Sequence, residues 1–172
     1  LDQQPPVRQC LACKRVVRAA GELGVKYITL FGFSSENWNR PAEEINELMR
    51  LLRMFLRAET ADLHRNNVRL QVLGSRKELS EDIVELIENA EKLTKDNDAL
   101  FLNIALNYGS RNEILMAAAA YAKQIAEQGI VPSFESAEEY FPQHLMTAGI
   151  PDPDILIRTS GEQRISNFLL WQ

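Results

Sequence analysis

Apolar residues recur along this chain at two spacings, and the two alternate. Between residues 10 and 23, Cys13, Val16, Val17, Ala20 and Leu23 fall on one helical face, and Gly24 closes the segment. YITLFGF, residues 27–33, is almost unbroken apolar, the pattern of a parallel strand covered on both faces. A second helical period runs through Ile45, Leu48, Met49, Leu52, Phe55, Leu56 and Leu63 as far as about Arg65. Pro41 stands where a first helical turn tolerates proline, and Glu43 and Glu44 favour the positive end of the helix dipole. Strand VRLQVLG, a helix over 80–95 on Ile83, Leu86, Ile87, Ala90 and Leu93, and strand FLNIALNYG follow. Ser110 and Glu113 have the spacing of a capping box with Ser110 as N-cap. The helix behind them reaches about Gln128 on Ile114, Ala118, Tyr121, Ala122 and Ile125, and Gly129 stops it. A short helix near 136–146 leads to an expected strand, DILIRTSG, and RISNFLLWQ closes the sequence.

Strands alternating with helices imply an α/β fold, a mostly parallel central sheet flanked by helices. No repeat, low-complexity tract or linker interrupts the 172 residues, so a single domain over 1–172 is expected. The formal net charge of −5 gives no reason to expect nucleic-acid binding. The longest apolar run, ILMAAAAYA, is shorter than the roughly 18–20 residues of a membrane span, and no signal peptide is visible. A cytoplasmic protein is the expectation. The two cysteines, Cys10 and Cys13, have neither the further ligands of a zinc site nor the preceding strand of a redox motif. Their spacing with Val17 and Ala20 suggests thiols on a buried helix face.

In an open parallel sheet, ligands bind beyond the carboxyl ends of the strands. Those ends read SSENWNR, GSRKE, NYGSRNE and RTSGEQRIS, and the first and last are far richer in polar groups than turns require. They offer Ser34, Ser35, Asn37, Arg40, Arg158, Thr159, Ser160, Arg164 and Ser166. Arginine presents paired N–H donors to phosphate oxygens, and hydroxyls and amides complete such a cradle, so a diphosphate ligand fits better than a neutral one. The nucleotide signatures G-x-G-x-x-G and G-x-x-x-x-G-K-[ST] and the G-x-S-x-G elbow are absent. The plain alternative is that the first motif only starts a helix, that Trp38 is a packing anchor and that Arg158 pairs with a carboxylate.

FGFSSENWNRPAEE and ILIRTSGEQRISNFLLWQ closely resemble signature segments of the cis-prenyltransferases, the undecaprenyl diphosphate synthase family. HRNNVRLQVLG and LFLNIALNYGSRNEI resemble it in the same order, so the likeness covers residues from about 14 to 172. The resemblance implies condensation of isopentenyl diphosphate with an allylic diphosphate such as farnesyl diphosphate, one cis unit per cycle. The product would be the undecaprenyl carrier lipid of cell-wall synthesis, delivered at a membrane surface. It also implies an apolar tunnel, magnesium and a homodimer. Carried over position by position, Asn37 takes the catalytic place, and Ser34, Ser35, Glu36, Trp38, Arg40 and Glu44 surround the substrate. Arg158, Arg164, Ile165 and Ser166 resemble the diphosphate site of isopentenyl diphosphate. Gly32, Val68 and Leu100 match tunnel positions, and a small residue at Gly32 suits a tunnel kept open for a long product.

The sequence departs from the family at both ends. The M-D-G-N-G-R-W-A segment, whose aspartate holds magnesium, is absent, and residues 1–13 do not match the A-G-H-x-x-G stretch. The sequence stops at WQ, before a segment whose glutamate also serves magnesium. The expectation is a preserved isopentenyl diphosphate half-site without a metal half-site, and little activity from these 172 residues alone. Competing readings are a non-catalytic subunit of the same family, an unrelated phosphate-binding α/β enzyme, and a purely structural domain.

Overall fold

The computed structural model describes residues 6–159 and 161–172, with side chains from residue 13 onward; residues 1–5, the Cys10 side chain and Ser160 lie outside it. The chain forms two compact units, Leu1–Asn107 and Tyr108–Gln172.

The first unit runs α1 (Pro6–Glu22), β1 (Tyr27–Ser34), a 3-10 turn (Ser35–Asn39), α2 (Ala42–Arg65), β2 (Val68–Leu73), α3 (Glu81–Thr94) and β3 (Leu100–Tyr108), whose last residue opens the second unit. The strands lie in the order β1-β3-β2. β2 and β3 are parallel, in register from Val68 opposite Leu100 to Leu73 opposite Ala105. β1 runs the same way: Tyr27 stacks on Phe101 at 4.7 Å, and five residues on Gly32 lies against Ile104 and Ala105. The fold is therefore the expected α/β arrangement, a parallel sheet with flanking helices.

The alternation of strand and helix periods buries one apolar cluster. Leu70, Val72, Leu100, Leu102 and Leu106 of the strands meet Met49 and Leu56 of α2 and Ile83, Ile87 and Ala90 of α3. Every apolar position predicted for α2 packs into or against this cluster. α3 departs by one position: Leu93 is exposed and Thr94 is fully buried. Thr94 Oγ1 donates to Ala90 O and accepts from Leu70 N at 3.0 Å. Glu91 accepts from Val72 N at 2.7 Å, and Asn97 donates to Val68 O at 2.7 Å. Side chains on and just beyond α3 thus seal the outer edge of β2 as a neighbouring strand would. β1 is less covered than its apolar sequence predicts, with Tyr27, Phe31 and Gly32 exposed.

The expected apolar face of α1 is corrected. Cys13 is exposed, as are Val16 and Leu23, and Val17 packs against the cluster. α1 meets α2, where Lys14 pairs with Glu59 at 2.6 Å, and among the described residues of its predicted face Val17 is the one packed against the cluster.

The second unit holds α4 (Ser110–Gln128), α5 (Phe134–Tyr140) and a 3-10 turn (Phe141–His144). Its own cluster joins Ala117, Phe141 and Leu145 with Ile114 and Tyr121, and Trp171 leans on Phe141 at 4.5 Å. The buried stripe of α4 passes through Ser110, Glu113, Ala117 and Ile125; Ala118 and Ala122, expected inside, are exposed. Four consecutive alanines offer every face equally, so the period cannot choose among them. Gly129 ends α4 in the left-handed conformation, as expected.

Two further expectations fail. Ser110 is not an N-cap: Gly109 holds that place, and Ser110 and Glu113 are both buried. Tyr108 donates to Glu113 Oε2 at 2.5 Å and bonds Ser110 Oγ at 3.1 Å, and Met146 N donates to Glu113 Oε1 at 2.9 Å. Burial, with Glu113 beside it, pushes the Tyr108 phenol above its usual range. Nor is there a strand over 154–161 among the described residues; Ile155, Leu156 and Ile157 are exposed. Extended chain becomes a strand only beside another, and none pairs with it here. Among the described residues no helix is long and apolar enough to cross a membrane.

Two substitutions test this account. A Cβ on Gly74 (φ +128°) would lie 1.9 Å from Leu106 O. Gly74→Ala should therefore lower unfolding stability by more than ~2 kcal/mol in urea titration; a loss within ~0.5 kcal/mol would refute the close approach. Tyr108→Phe should cost about 2 kcal/mol by the same measurement, because it strips a donor from a buried carboxylate.

Candidate functional site

β1 ends where its backbone turns into the 3-10 helix, and the turn is closed by its own side chains. Ser34 Oγ accepts from Glu36 N at 3.1 Å, and Asn37 Oδ1 accepts from Ser34 N at 2.9 Å, a reciprocal capping box. The Asn37 carbonyl is thereby committed, which leaves its NH2 as the group available to a ligand. Ser35 is half-buried and Glu36 exposed beside them. Arg40 and Glu44 approach only to 3.9 Å with both side chains about half exposed, 51% and 52%, so the guanidinium keeps most of its donors. The N–H groups and flanking cation suit an anion; the cap is also real, because Pro41 precedes the first residue of α2.

Trp38 is held from behind. Its ring meets Phe33 edge to face at 5.1 Å, and its Nε1 donates to Asn107 Oδ1 at 2.8 Å. Asn107 is buried, and its Nδ2 donates to Ser75 O at 3.0 Å and Glu78 Oε2 at 2.5 Å. That hydrogen bond from Asn107 holds the Glu78 carboxyl below the usual carboxylate range. Sequence reading missed Asn107, Ser75 and Glu78, although GSRKE and NYGSRNE had both been placed at strand ends.

Of the three positions matched to a tunnel, Gly32 lies two residues before Ser34, and the other two lie at the starts of their strands. Val68 and Leu100 face each other at the starts of β2 and β3, both inside the apolar cluster. Gly32 is exposed on β1, and a Cβ there would meet Ile104 and Ala105 at 3.5 Å. Among the described residues no group of three or more His, Cys, Asp or Glu could hold a metal ion.

In the second unit, Arg158 donates to Ser166 Oγ at 2.9 Å and to Arg164 O, closing the loop between them. Arg164 pairs with Glu162 at 3.2 Å and is otherwise exposed; Ile165 is exposed as well. Two guanidinium groups and a hydroxyl thus stand against one carboxylate, and the plain reading of Arg158 as a carboxylate partner has no support in these contacts. Ser166, Asn167 and Leu169 adopt positive φ of 55°, 59° and 47°. Asn167 steadies that turn on α4, because its carbonyl accepts from Ser110 N at 2.9 Å and its Oδ1 from Arg111 N at 2.9 Å. It caps a helix more than fifty residues earlier, which is why local capping rules do not reveal it.

The chain is similar to known proteins. The prenyltransferase family model described as undecaprenyl diphosphate synthase matches residues 8–172. The chain belongs to this family. Over 161 residues it is 54% identical to an isoprenyl transferase of Brucella suis biovar 1, covering 94% of this chain and 63% of that one. It is 47% identical, over 94% of itself and 64% of the relative, to the ditrans,polycis-undecaprenyl-diphosphate synthase, (2E,6E)-farnesyl-diphosphate specific, of Vibrio cholerae serotype O1. The chain therefore spans less than two thirds of the length of these curated relatives. Among solved structures it resembles lavandulyl diphosphate synthase from Lavandula x intermedia in complex with dimethylallyl diphosphate. The TM-score is 0.82 at 37% identity, covering 89% of this chain and 66% of that one. It also resembles a probable undecaprenyl diphosphate synthase from Campylobacter jejuni, with TM-score 0.78 at 33% identity over 92% and 73% of the two chains.

The cap on α4 is open to measurement. Asn167→Ala removes the Oδ1 acceptor and places a Cβ-bearing residue without a stabilising side chain in a left-handed turn. It should cost about 1–2 kcal/mol in chemical denaturation. Asn167→Gly, which suits that backbone, should recover part of the loss.

Proposed function

We propose that the protein to which this chain belongs is a cis-prenyltransferase that condenses isopentenyl diphosphate with an allylic diphosphate. Farnesyl diphosphate would be the primer and a long cis-polyprenyl diphosphate of the undecaprenyl type the product, a carrier lipid for cell-wall synthesis. The observation that carries the reading is the turn after β1: a self-capped Ser34–Asn37 box that leaves the Asn37 NH2 and the Arg40 guanidinium at a strand end, in a chain of this family.

In this reading the allylic C–O bond breaks and its electron pair leaves with the diphosphate. The alkene of isopentenyl diphosphate attacks the allylic carbon, a C–C bond forms, and a proton is lost from the new unit. Arg40 stabilises charge on a diphosphate oxygen. Asn37 donates from its NH2 to orient the substrate and is not the base, since its carbonyl is engaged by Ser34 N and an amide binds protons very weakly. A diphosphate oxygen, or a relay through Ser34, takes the proton. Arg158, Arg164 and Ser166 bind the diphosphate of isopentenyl diphosphate, with Ile165 alongside, and Ser35, Glu36, Trp38 and Glu44 border the reacting groups. Gly32, Val68 and Leu100 belong to the wall of the product channel. Magnesium would aid diphosphate departure, but the described carboxylates form no site for it, so no step is routed through it. The setting is a cytoplasmic homodimer that hands its product to a membrane surface.

The test is an assay with radiolabelled isopentenyl diphosphate, farnesyl diphosphate and magnesium, on this chain and on the chain completed to the length of its relatives. The completed chain should yield a cis-polyprenyl diphosphate, and absence of product overturns the reading. In it Asn37→Ala should lower kcat by ~10²-fold or more with KM within ~3-fold; near-normal turnover would remove Asn37 from the mechanism. Arg158→Ala, losing charge-assisted bonds, should raise the KM for isopentenyl diphosphate by ~10–100-fold.

A further inference from the structure

We infer that Asn107 is a positioning residue for the reaction: its side-chain amide, anchored on Ser75 and Glu78, fixes the Trp38 indole and through it the Ser34–Asn37 turn. The inference rests on the cis-prenyltransferase reading and adds residues from two other strand ends to it. The geometry uses up the amide. Asn107 Oδ1 accepts from Trp38 Nε1 at 2.8 Å, and Nδ2 donates to Ser75 O at 3.0 Å and Glu78 Oε2 at 2.5 Å. Both N–H donors and one of the two carbonyl lone pairs are occupied, so the amide cannot flip without reversing all three contacts. The anchor is itself fixed. Asn107 is 4% exposed with φ +50°, its carbonyl accepts from Ser75 N at 3.2 Å, and Glu78 is tied to Ser75 Oγ at 3.1 Å. Gly74 and Leu106 lie close together just before it, and the bond from Ser75 N to the Asn107 carbonyl ties the ends of β2 and β3. Trp38 follows Asn37 directly in sequence, and a buried amide that holds the indole holds the orientation of the adjacent Asn37 NH2. Packing alone would not: Phe33 and the apolar cluster hold the ring but give it no polar direction.

The chain has two tryptophans, so Trp171→Phe leaves Trp38 as the only indole reporter. In that background, Asn107→Gly deletes the amide while suiting the left-handed backbone, and Asn107→Asp keeps the acceptor for Trp38 but sets a carboxylate against Glu78. Adding Glu78→Gln to Asn107→Asp exchanges donor and acceptor and restores that one contact, while the Ser75 carbonyl still faces a carboxylate oxygen. Asn107→Gly and Asn107→Asp should each shift Trp38 emission and raise its acrylamide quenching by ~2-fold or more, as an indole freed from a fixed partner does. The double variant, Asn107→Asp with Glu78→Gln, should return at least half of the change. Unaltered quenching in Asn107→Gly, or a double variant no better than Asn107→Asp, overturns the inference whether or not the protein transfers prenyl groups. In the completed chain, Asn107→Gly should lower kcat by ~10–100-fold with the KM for isopentenyl diphosphate within ~3-fold, and the double variant should recover kcat. Equal activity of Asn107→Gly and its parent also overturns it, whereas a parent with no activity counts against the prenyltransferase reading alone.

Discussion

The end of the β2–β3 pair is built around one close approach. Leu106 O lies so near the α-carbon of Gly74 that no side chain fits between them. Just beyond it, Ser75 N donates to the Asn107 carbonyl and joins the two strand ends. Asn107 takes up a left-handed conformation at that point. The direction of the Asn107 side chain follows from that backbone, and the Trp38 indole follows from the side chain. The polar turn after β1 is thus held by the geometry of two strands that carry none of its ligand-binding groups.

A second constraint concerns backbone polarity. Unpaired N–H and C=O groups are costly where water is excluded. β3 satisfies it as the central strand, and β2 with side chains from α3 and its flank. Arg76 shares Glu91 with Val72 N, so the seal on β2 also fixes the first residues of GSRKE. β1 is only partly covered, with Phe33 buried and Tyr27, Phe31 and Gly32 exposed, and residues 155–157 are exposed. Burial of the strand ends that support the Trp38 turn and exposure of the Arg158 loop are both consistent with their chemistry.

What the sequence made legible was what depends on near neighbours. The bounds of α2 and its apolar stripe were readable, because helical period and Pro41 are local. What escaped depends on distant partners. Ser110 and Glu113 have the spacing of a capping box, yet Tyr108 and Met146 claim them, since a buried carboxylate takes whatever donors the fold supplies. DILIRTSG has the composition of a strand, but composition supplies no neighbour to pair with. The candidate residues were named through resemblance and strand-end chemistry; Asn107, Glu78 and Asn167 were not, because each acts on a residue more than twenty-five positions away.

Three asparagines share a device. Asn67, Asn107 and Asn167 all have positive φ, at 57°, 50° and 59°, and each uses its side chain to clasp another segment. Asn67 exchanges bonds with Asp98 at 3.0 and 2.8 Å, joining the starts of β2 and β3 as Asn107 joins their ends. Asn167 holds the first turn of α4. A left-handed residue reverses the chain sharply, and only glycine does so with less strain, but glycine has no side chain to secure the reversal. Asparagine offers the turn and the clasp together, with a donor and an acceptor on one short arm. At Asn67 the result is structural. At Asn107 and Asn167 the secured turns stand beside groups suited to diphosphate, where donors must already be aimed before charge develops. Small strains at such positions are therefore consistent with a site whose chemistry depends on not having to rearrange.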